Sequence, residues 1–337
     1  MTTSGRSRRR LLPLLGLALL AAAGWSVARN HAALATAWSA IRSPNPTWSI
    51  TLPLAVIATV LLTSASLLVL TNRAARESRL SFREMVALTL ASTLGNMVPM
   101  QPGLAGRVAY QHQVHGMPVA VSVLVTVQST LLTVVAVAWL GLALLLVRAG
   151  ALSWIAAPAS LALLLPALLD PARRASALPQ AFVARFGEVL LSAVRTTAAF
   201  ALVGEPIDPF AALVLACASN AANCVPMIGG GLGIREWITG LLAPAVAGIA
   251  TPHALAAELV NRAVELLVVV PGGLVSSAPL ARRLAEAMRT RRVEPGHDPA
   301  ASTGVTTVRW SFSAGAVQRP SGEPPESPPS TPMSPAP

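Results

Sequence analysis

Charged and aromatic side chains are scarce in this chain of 337 residues. Asp, Glu, Lys and Arg make up 12% of it, against roughly 25% in soluble domains, and Phe, Trp and Tyr make up 4%. The two cysteines, Cys217 and Cys224, would lie about 10 Å apart on a helix, too far for a disulfide. The sequence shows no metal-ligand spacing. These absences argue against a soluble domain, a disulfide framework and a metal site, and we expect no cofactor.

Apolar and basic residues alternate in blocks along most of the chain. Hydrophobic residues make up 53% of the sequence, and several apolar runs are long enough to cross a bilayer. The net charge of +11 comes mainly from arginines in short clusters between those runs. Such clusters mark the cytoplasmic ends of spans and contact lipid headgroups. We therefore predict a cell-membrane protein with both chain ends in the cytoplasm, and no nucleic-acid partner.

The first half of the chain contains two spans, an interrupted pair of short helices and a third span. The spans are predicted at 11–27, 50–70 and 119–147, although a cleaved signal peptide is an alternative for the first. The run at 85–98 holds 14 residues before Pro99. It covers roughly 21 Å of the ~30 Å hydrocarbon core, which predicts a half-helix that enters, breaks and turns back.

The second half repeats this order. Its first two spans are predicted at 151–169 and 187–203. The interrupted pair of short helices is predicted at 210–225 and 237–249, and the final span at 252–270. The arginine clusters give the two halves opposite orientations, and such inverted repeats with broken helices are a transporter architecture. We predict an all-α polytopic membrane domain (1–292), an inverted repeat of units at about 11–148 and 151–276, and a disordered cytoplasmic tail (293–337).

The two breaks resemble each other in sequence. Asn96, Val98-Pro99-Met100, Gly103 and Gly106 align without a gap with Asn223, Val225-Pro226-Met227, Gly230 and Gly233. Broken backbone at membrane depth is tolerated only beside protein or a water-filled cavity; a glycine-rich loop at the bilayer surface is the alternative. We predict that backbone and loop positions shape the two breaks: Asn96, Pro99, Gly103 and Gly106 in the first, and Asn223, Pro226, Gly230, Gly231 and Gly233 in the second.

The second break resembles a flippase-like membrane family that includes the transmembrane region of lysylphosphatidylglycerol synthases. Residues 229–236, Gly-Gly-Gly-Leu-Gly-Ile-Arg-Glu, stand where that family has Pro-Gly-Gly-Leu-Gly-x-Arg-Glu, and Arg262 with Glu265 resembles its Arg-x-x-Glu. In the first break, Leu104 and Arg107 replace the family's Arg and Glu. The resemblance covers about residues 11–283 and implies translocation of lipids with polar headgroups between leaflets. We expect no aminoacyl-transfer domain and no catalysis.

Arginine suits a phosphate headgroup because its planar fork stays charged and binds phosphate bidentately. We predict that Arg107 and Arg235, one from each break, receive the phosphate. Glu236 and Glu265 would hold the arginines or meet a cationic headgroup. Arg262 lies three residues from Glu265 on one helical face, either as a structural ion pair or as a direct ligand.

Arg195 stands near the middle of a predicted span. An arginine inside the membrane is expensive and is a functional candidate; the alternatives are that it snorkels or reaches Glu188 two turns away. The predicted partners are membrane lipids, either an anionic phospholipid or a polyprenyl-phosphate-linked lipid, and a homo-oligomer stays open. The other function considered is a membrane transferase or accessory subunit acting on lipid-linked substrates, for which the sequence offers no Asp pair, Ser-His-Asp arrangement or Walker loop.

Overall fold

The fold was analysed in a computed structural model that describes residues 45–75, 79–97, 102–151, 153, 177–223 and 234–293. These residues form eight α-helices and no strand: α1 (Pro46–Ala74), α2 (Phe82–Asn96), α3 (Pro102–His115), α4 (Val119–Arg148), α5 (Ala177–Leu202), α6 (Pro209–Asn223), α7 (Ile234–Ala247) and α8 (Thr251–Val293). Several predictions fall outside the described residues: the span at 11–27, almost all of that at 151–169, Pro99, Pro226, Gly230, Gly231, Gly233, and the tail from 294.

Four helices in the described part of the chain are long and apolar enough to cross a membrane: α1, α4, α5 and the part of α8 that ends at Thr290. On α4, Leu142 and Leu145 are exposed, as expected of side chains that face lipid. The predicted all-α class is confirmed, and the four helices are those of a multi-pass membrane protein.

Two pairs of shorter helices lie between the long ones. The first pair, α2 and α3, has 15 and 14 residues, and the second pair, α6 and α7, also has 15 and 14. Each helix is roughly 21–23 Å long, short of the ~30 Å hydrocarbon core. Within each pair the two helices pack against each other. The predicted division into short helices is therefore present at both positions.

The first interruption ends sooner than the sequence predicts, because Gly103 and Gly106 lie inside α3 and not in a loop. The side-chain oxygen of Asn96 accepts a hydrogen bond from the backbone N–H of Leu104 at 3.0 Å, which satisfies a donor in the first turn of the helix. A Cβ atom added at Gly103 would lie 1.9 Å from the carbonyl oxygen of Ser92. Glycine at this position therefore allows α2 and α3 to approach closely.

The last helix is much longer than the span predicted at 252–270. It has 43 residues and contains Pro271 and Pro279. A Cβ atom added at Gly273 would lie within 3.0 Å of α2, and Leu280 belongs to a buried cluster with residues of α1 and α2. Packing against neighbouring helices thus holds α8 together where proline alone would favour a break.

The long helices α1 and α5 pack along each other at the centre of the described fold. α2 contacts α1, α6 contacts α5, and α4 contacts both α5 and α6. Apolar clusters fill the spaces between them, with Phe200 and Leu255 in one, Phe182 and Phe186 in a second, and Met85 in a third.

Candidate functional site

A polar cavity of about 190 Å³ lies among α1, α2, α5, α6, α7 and α8. Its volume is several times the ~30 Å³ that one water molecule occupies in the liquid. Val60, one of its lining residues, stands halfway along the membrane-length helix α1. Its walls carry charged, amide and hydroxyl side chains: Thr59, Thr63, Thr89, Thr93, Glu188, Ser192, Arg195, Thr196, Ser219, Asn220, Arg235 and Glu265.

One carboxylate, Glu265 of α8, is shared by three arginines. Its Oε2 lies 2.7 Å from Nη2 of Arg195 on α5 and 3.3 Å from Nη1 of Arg235 on α7. Its Oε1 accepts a hydrogen bond from Nη1 of Arg262 at 3.1 Å. The structure therefore brings together three of the predicted arginines and one of the predicted glutamates.

Arg235 stands in the first turn of α7 and is also paired with Glu258, a residue that the sequence analysis missed. Nε of Arg235 lies 2.5 Å from Oε1 of Glu258, although this N–H is not aimed for a hydrogen bond. Glu258 is 2% exposed and stands seven residues, two helical turns, before Glu265, so that the spacing alone places both acids on one face of α8. Glu236 is buried and interacts electrostatically with Arg235.

Arg195 is buried and bonded to α8. Its Nε and Nη2 donate to the side-chain oxygen of Asn261 at 3.2 and 3.0 Å, in addition to its contact with Glu265. The amide of Asn261 in turn donates to Glu258 at 3.3 Å. Glu188, the partner considered from sequence, accepts a hydrogen bond from Arg185 at 2.6 Å. Arg195 is thus part of an ion-pair cluster in which Glu258 and Glu265 of α8 pair with Arg195, Arg235 and Arg262.

Hydroxyl groups line other parts of the cavity. Thr59 donates to the carbonyl oxygen one turn before it on α1 at 2.8 Å, and Thr89 does the same on α2 at 2.8 Å. Ser192 and Thr196 donate in the same way on α5 at 3.0 and 2.9 Å. Because each hydroxyl hydrogen is used within its own helix, the oxygen keeps lone pairs that can accept from a ligand or water. The cavity therefore presents both guanidinium donors and hydroxyl acceptors.

The other predicted site residues that the structure describes lie elsewhere. Arg107 does not line the central cavity; its Nη2 donates to Thr126 of α4 at 2.5 Å, and it lines a separate groove with Gly103 and Gly106. Asn96 caps α3, as described above, and Asn223 is the last residue of α6. The two arginines that the sequence analysis paired, Arg107 and Arg235, therefore belong to different sites.

Comparison with family models, curated proteins and solved structures finds no match for this chain. The resemblance to a flippase-like family rests on the motif residues alone.

The chemistry of the central cavity follows from its buried charges. Arg195, Arg235 and Arg262 face Glu236, Glu258 and Glu265, so that the guanidinium groups are held by carboxylates before any ligand arrives. Phosphate and carboxylate are the groups that a guanidinium fork binds best. Among the described residues, no group of three His, Cys, Asp or Glu side chains is placed to hold a metal ion. An anion could therefore bind these arginines in exchange for one of the carboxylates.

Proposed function

We propose that the protein is a translocase that moves lipids with phosphate-bearing headgroups between the two leaflets of a membrane. The supporting observation is the cavity of about 190 Å³ that is lined by Arg195 and Arg235 and by Val60, which stands halfway along the membrane-length helix α1. A polar or charged group that crosses hydrocarbon without partners costs several kcal/mol or more. The guanidinium groups would replace the water that a phosphate leaves behind.

The size of the cavity indicates which part of a lipid it accommodates. Pockets that enclose a whole drug-sized ligand measure ~300–1,000 Å³, and the cavity measures about 190 Å³. The headgroup is therefore the part that fits, and the acyl chains would stay in the surrounding bilayer.

Exchange of one anion for another accounts for binding without covalent chemistry. A phosphate that enters would take the place of Glu265 on Arg195 and Arg235, because both guanidinium groups already bind that carboxylate at 2.7 and 3.3 Å. The hydroxyl oxygens of Thr59 and Thr89 would accept hydrogen bonds from the hydroxyl or ammonium groups of the same headgroup. When the lipid leaves, Glu265 would reclaim both arginines.

The helix lengths and contacts support the proposal that the two halves repeat one unit, whose inversion is inferred from the arginine clusters. Each short pair has 15 and 14 residues, and its first helix packs on a long helix, α2 on α1 and α6 on α5. Each second short helix contacts the long helix that follows it: α3 packs on α4, and Gly240 of α7 lies against Leu255 of α8. Two such units would meet at the central cavity, as in transporters with discontinuous helices.

The experiment is a leaflet-exposure assay in reconstituted vesicles. A fluorescent phosphatidylglycerol or polyprenyl-phosphate lipid is placed in both leaflets, and a membrane-impermeant quencher reports how fast the inner pool reaches the outside. Arg235→Gln should slow this exchange roughly tenfold to a hundredfold, since hydrogen bonds to charged groups contribute about 1.5–3 kcal/mol. Arg148→Gln is the matched control because Arg148 is exposed in the last turn of α4. Exchange at the wild-type rate in both Arg235→Gln and Arg195→Gln would refute the proposed site.

A further inference from the structure

A second groove of about 280 Å³ lies between α2, α3 and α8. It shares no lining residue with the central cavity, because α2 separates the two: Thr89 and Thr93 face the cavity, while a different set of α2 residues faces the groove. The lining is mostly apolar or small and includes Leu88, Ala91, Gly95, Gly106, Leu280 and Leu284. A groove of this kind accommodates a hydrocarbon chain.

Arg107 lines this groove and lacks a carboxylate partner among the described residues. Its guanidinium group donates to the hydroxyl of Thr126 at 2.5 Å, and the charged group that interacts with it is another cation, Arg185. Arg185 is already bonded to Ser129, one turn from Thr126 on α4, and to Glu188 at 2.6 Å. Glu188 therefore pairs with Arg185, and Arg107 adds a positive charge beside a mostly apolar groove, which is costly until an anion joins it.

The acid that contacts a lining residue of the groove is occupied by other groups. Tyr110, which lines the groove, donates its hydroxyl to Glu84 at 2.6 Å. The same carboxylate oxygen also lies 3.0 Å from Nε2 of His115 and 3.3 Å from Nη1 of Arg283. Since Glu84 is held by these three groups, it does not serve as the counter-ion of Arg107.

We propose that the groove between α2, α3 and α8 binds one acyl chain of an anionic lipid, whose headgroup phosphate pairs with Arg107. Charge complementarity selects the headgroup, and the apolar lining selects the chain. Gly106 leaves the space open, because a Cβ atom added there meets nothing within 4 Å. This site is distinct from the proposed translocation cavity, and binding at it does not require that the lipid be moved.

The test is photolabelling of the full chain in phosphatidylcholine vesicles. The probe is phosphatidylglycerol that carries a photoactivatable group on one acyl chain, and phosphatidylcholine with the same chain is the comparison. We expect the anionic probe to form adducts on Leu88 or Leu280. Arg107→Gln should weaken labelling roughly tenfold, the loss expected when a charge-assisted hydrogen bond is removed, while the amide can still donate to Thr126.

Two further variants separate loss of binding from loss of folding. Gly106→Leu fills the groove and should also reduce labelling. Gly141→Leu places the same side chain at another open helical glycine, on α4 and outside the groove, and should leave labelling unchanged. Arg235→Gln should keep labelling of the groove while translocation slows, so a failure of this site and a failure of the translocase proposal are distinguishable. Equal labelling by the two probes, or undiminished labelling of Arg107→Gln or Gly106→Leu, would overturn the proposal.

Discussion

Replacing Glu265 by glutamine would remove the carboxylate charge that Arg195, Arg235 and Arg262 share. The three guanidinium groups bind it at distances of 2.7, 3.3 and 3.1 Å. Breaking a buried ion pair by removing one partner costs about 3–5 kcal/mol, because the other charge stays buried without compensation. Arg235 keeps Glu258 at 2.5 Å, so the loss should fall near the lower limit, about 3 kcal/mol.

The assay is equilibrium unfolding of the purified chain in mixed micelles, followed by its helical circular dichroism as a denaturing detergent is added. Glu286→Gln, at an exposed position on the same helix, is the matched control and should stay within about 0.5 kcal/mol of wild type. The double variant Glu265→Gln/Arg262→Gln should recover part of the loss, since groups in one network couple by 0.5–3 kcal/mol. A free energy of unfolding for Glu265→Gln that matches the control would show that the shared carboxylate does not hold the cluster together.

Two other predictions use the same unfolding measurement. Gly103→Ala should destabilise the fold by about 1–3 kcal/mol, because its Cβ would overlap a carbonyl oxygen of α2 at 1.9 Å and force the helices apart. Gly106→Ala, at an open position, should instead stabilise the fold by roughly 0.5–1 kcal/mol. Equal effects of the two substitutions would contradict the packing argument. Burial by itself raises the pKa of Glu84, but hydrogen bonds from Tyr110 and His115 outweigh it and keep that pKa below its ordinary value of 4.5. The stabilisation by Glu84 is therefore present above pH 4.5 and is lost as the pH falls through the folded-state pKa. The difference in unfolding free energy between wild type and Glu84→Gln should shrink on acidification. A difference that stays constant with pH would refute this prediction.

Helix type and length were predictable where an apolar run meets a strong local signal. The short helices before Pro99 and Pro226 were expected from the length of each run, and α2 and α6 are present there. The continuation of α8 through Pro271 was not predictable, because it depends on packing against α2, which local sequence does not encode. Likewise, α5 includes residues 177–186, ahead of its predicted start.

The charged residues were predictable as candidates but not as a set. The sequence singled out Arg235 and Glu265 by their motifs, and the structure brings them within 3.3 Å of each other. The sequence analysis missed Glu258, which its spacing of two helical turns from Glu265 could have indicated. It paired Arg107 with Arg235 because the two breaks are alike in sequence, but equivalent positions in a repeat need not be neighbours in space.

The two carboxylates that contact Arg195 and Arg235, Glu258 and Glu265, stand two turns apart on α8, whereas these arginines stand on α5 and α7. A sliding or rolling movement of that single helix would therefore weaken both contacts at the same time. The pairing of the two arginines is in this way coupled to the position of α8.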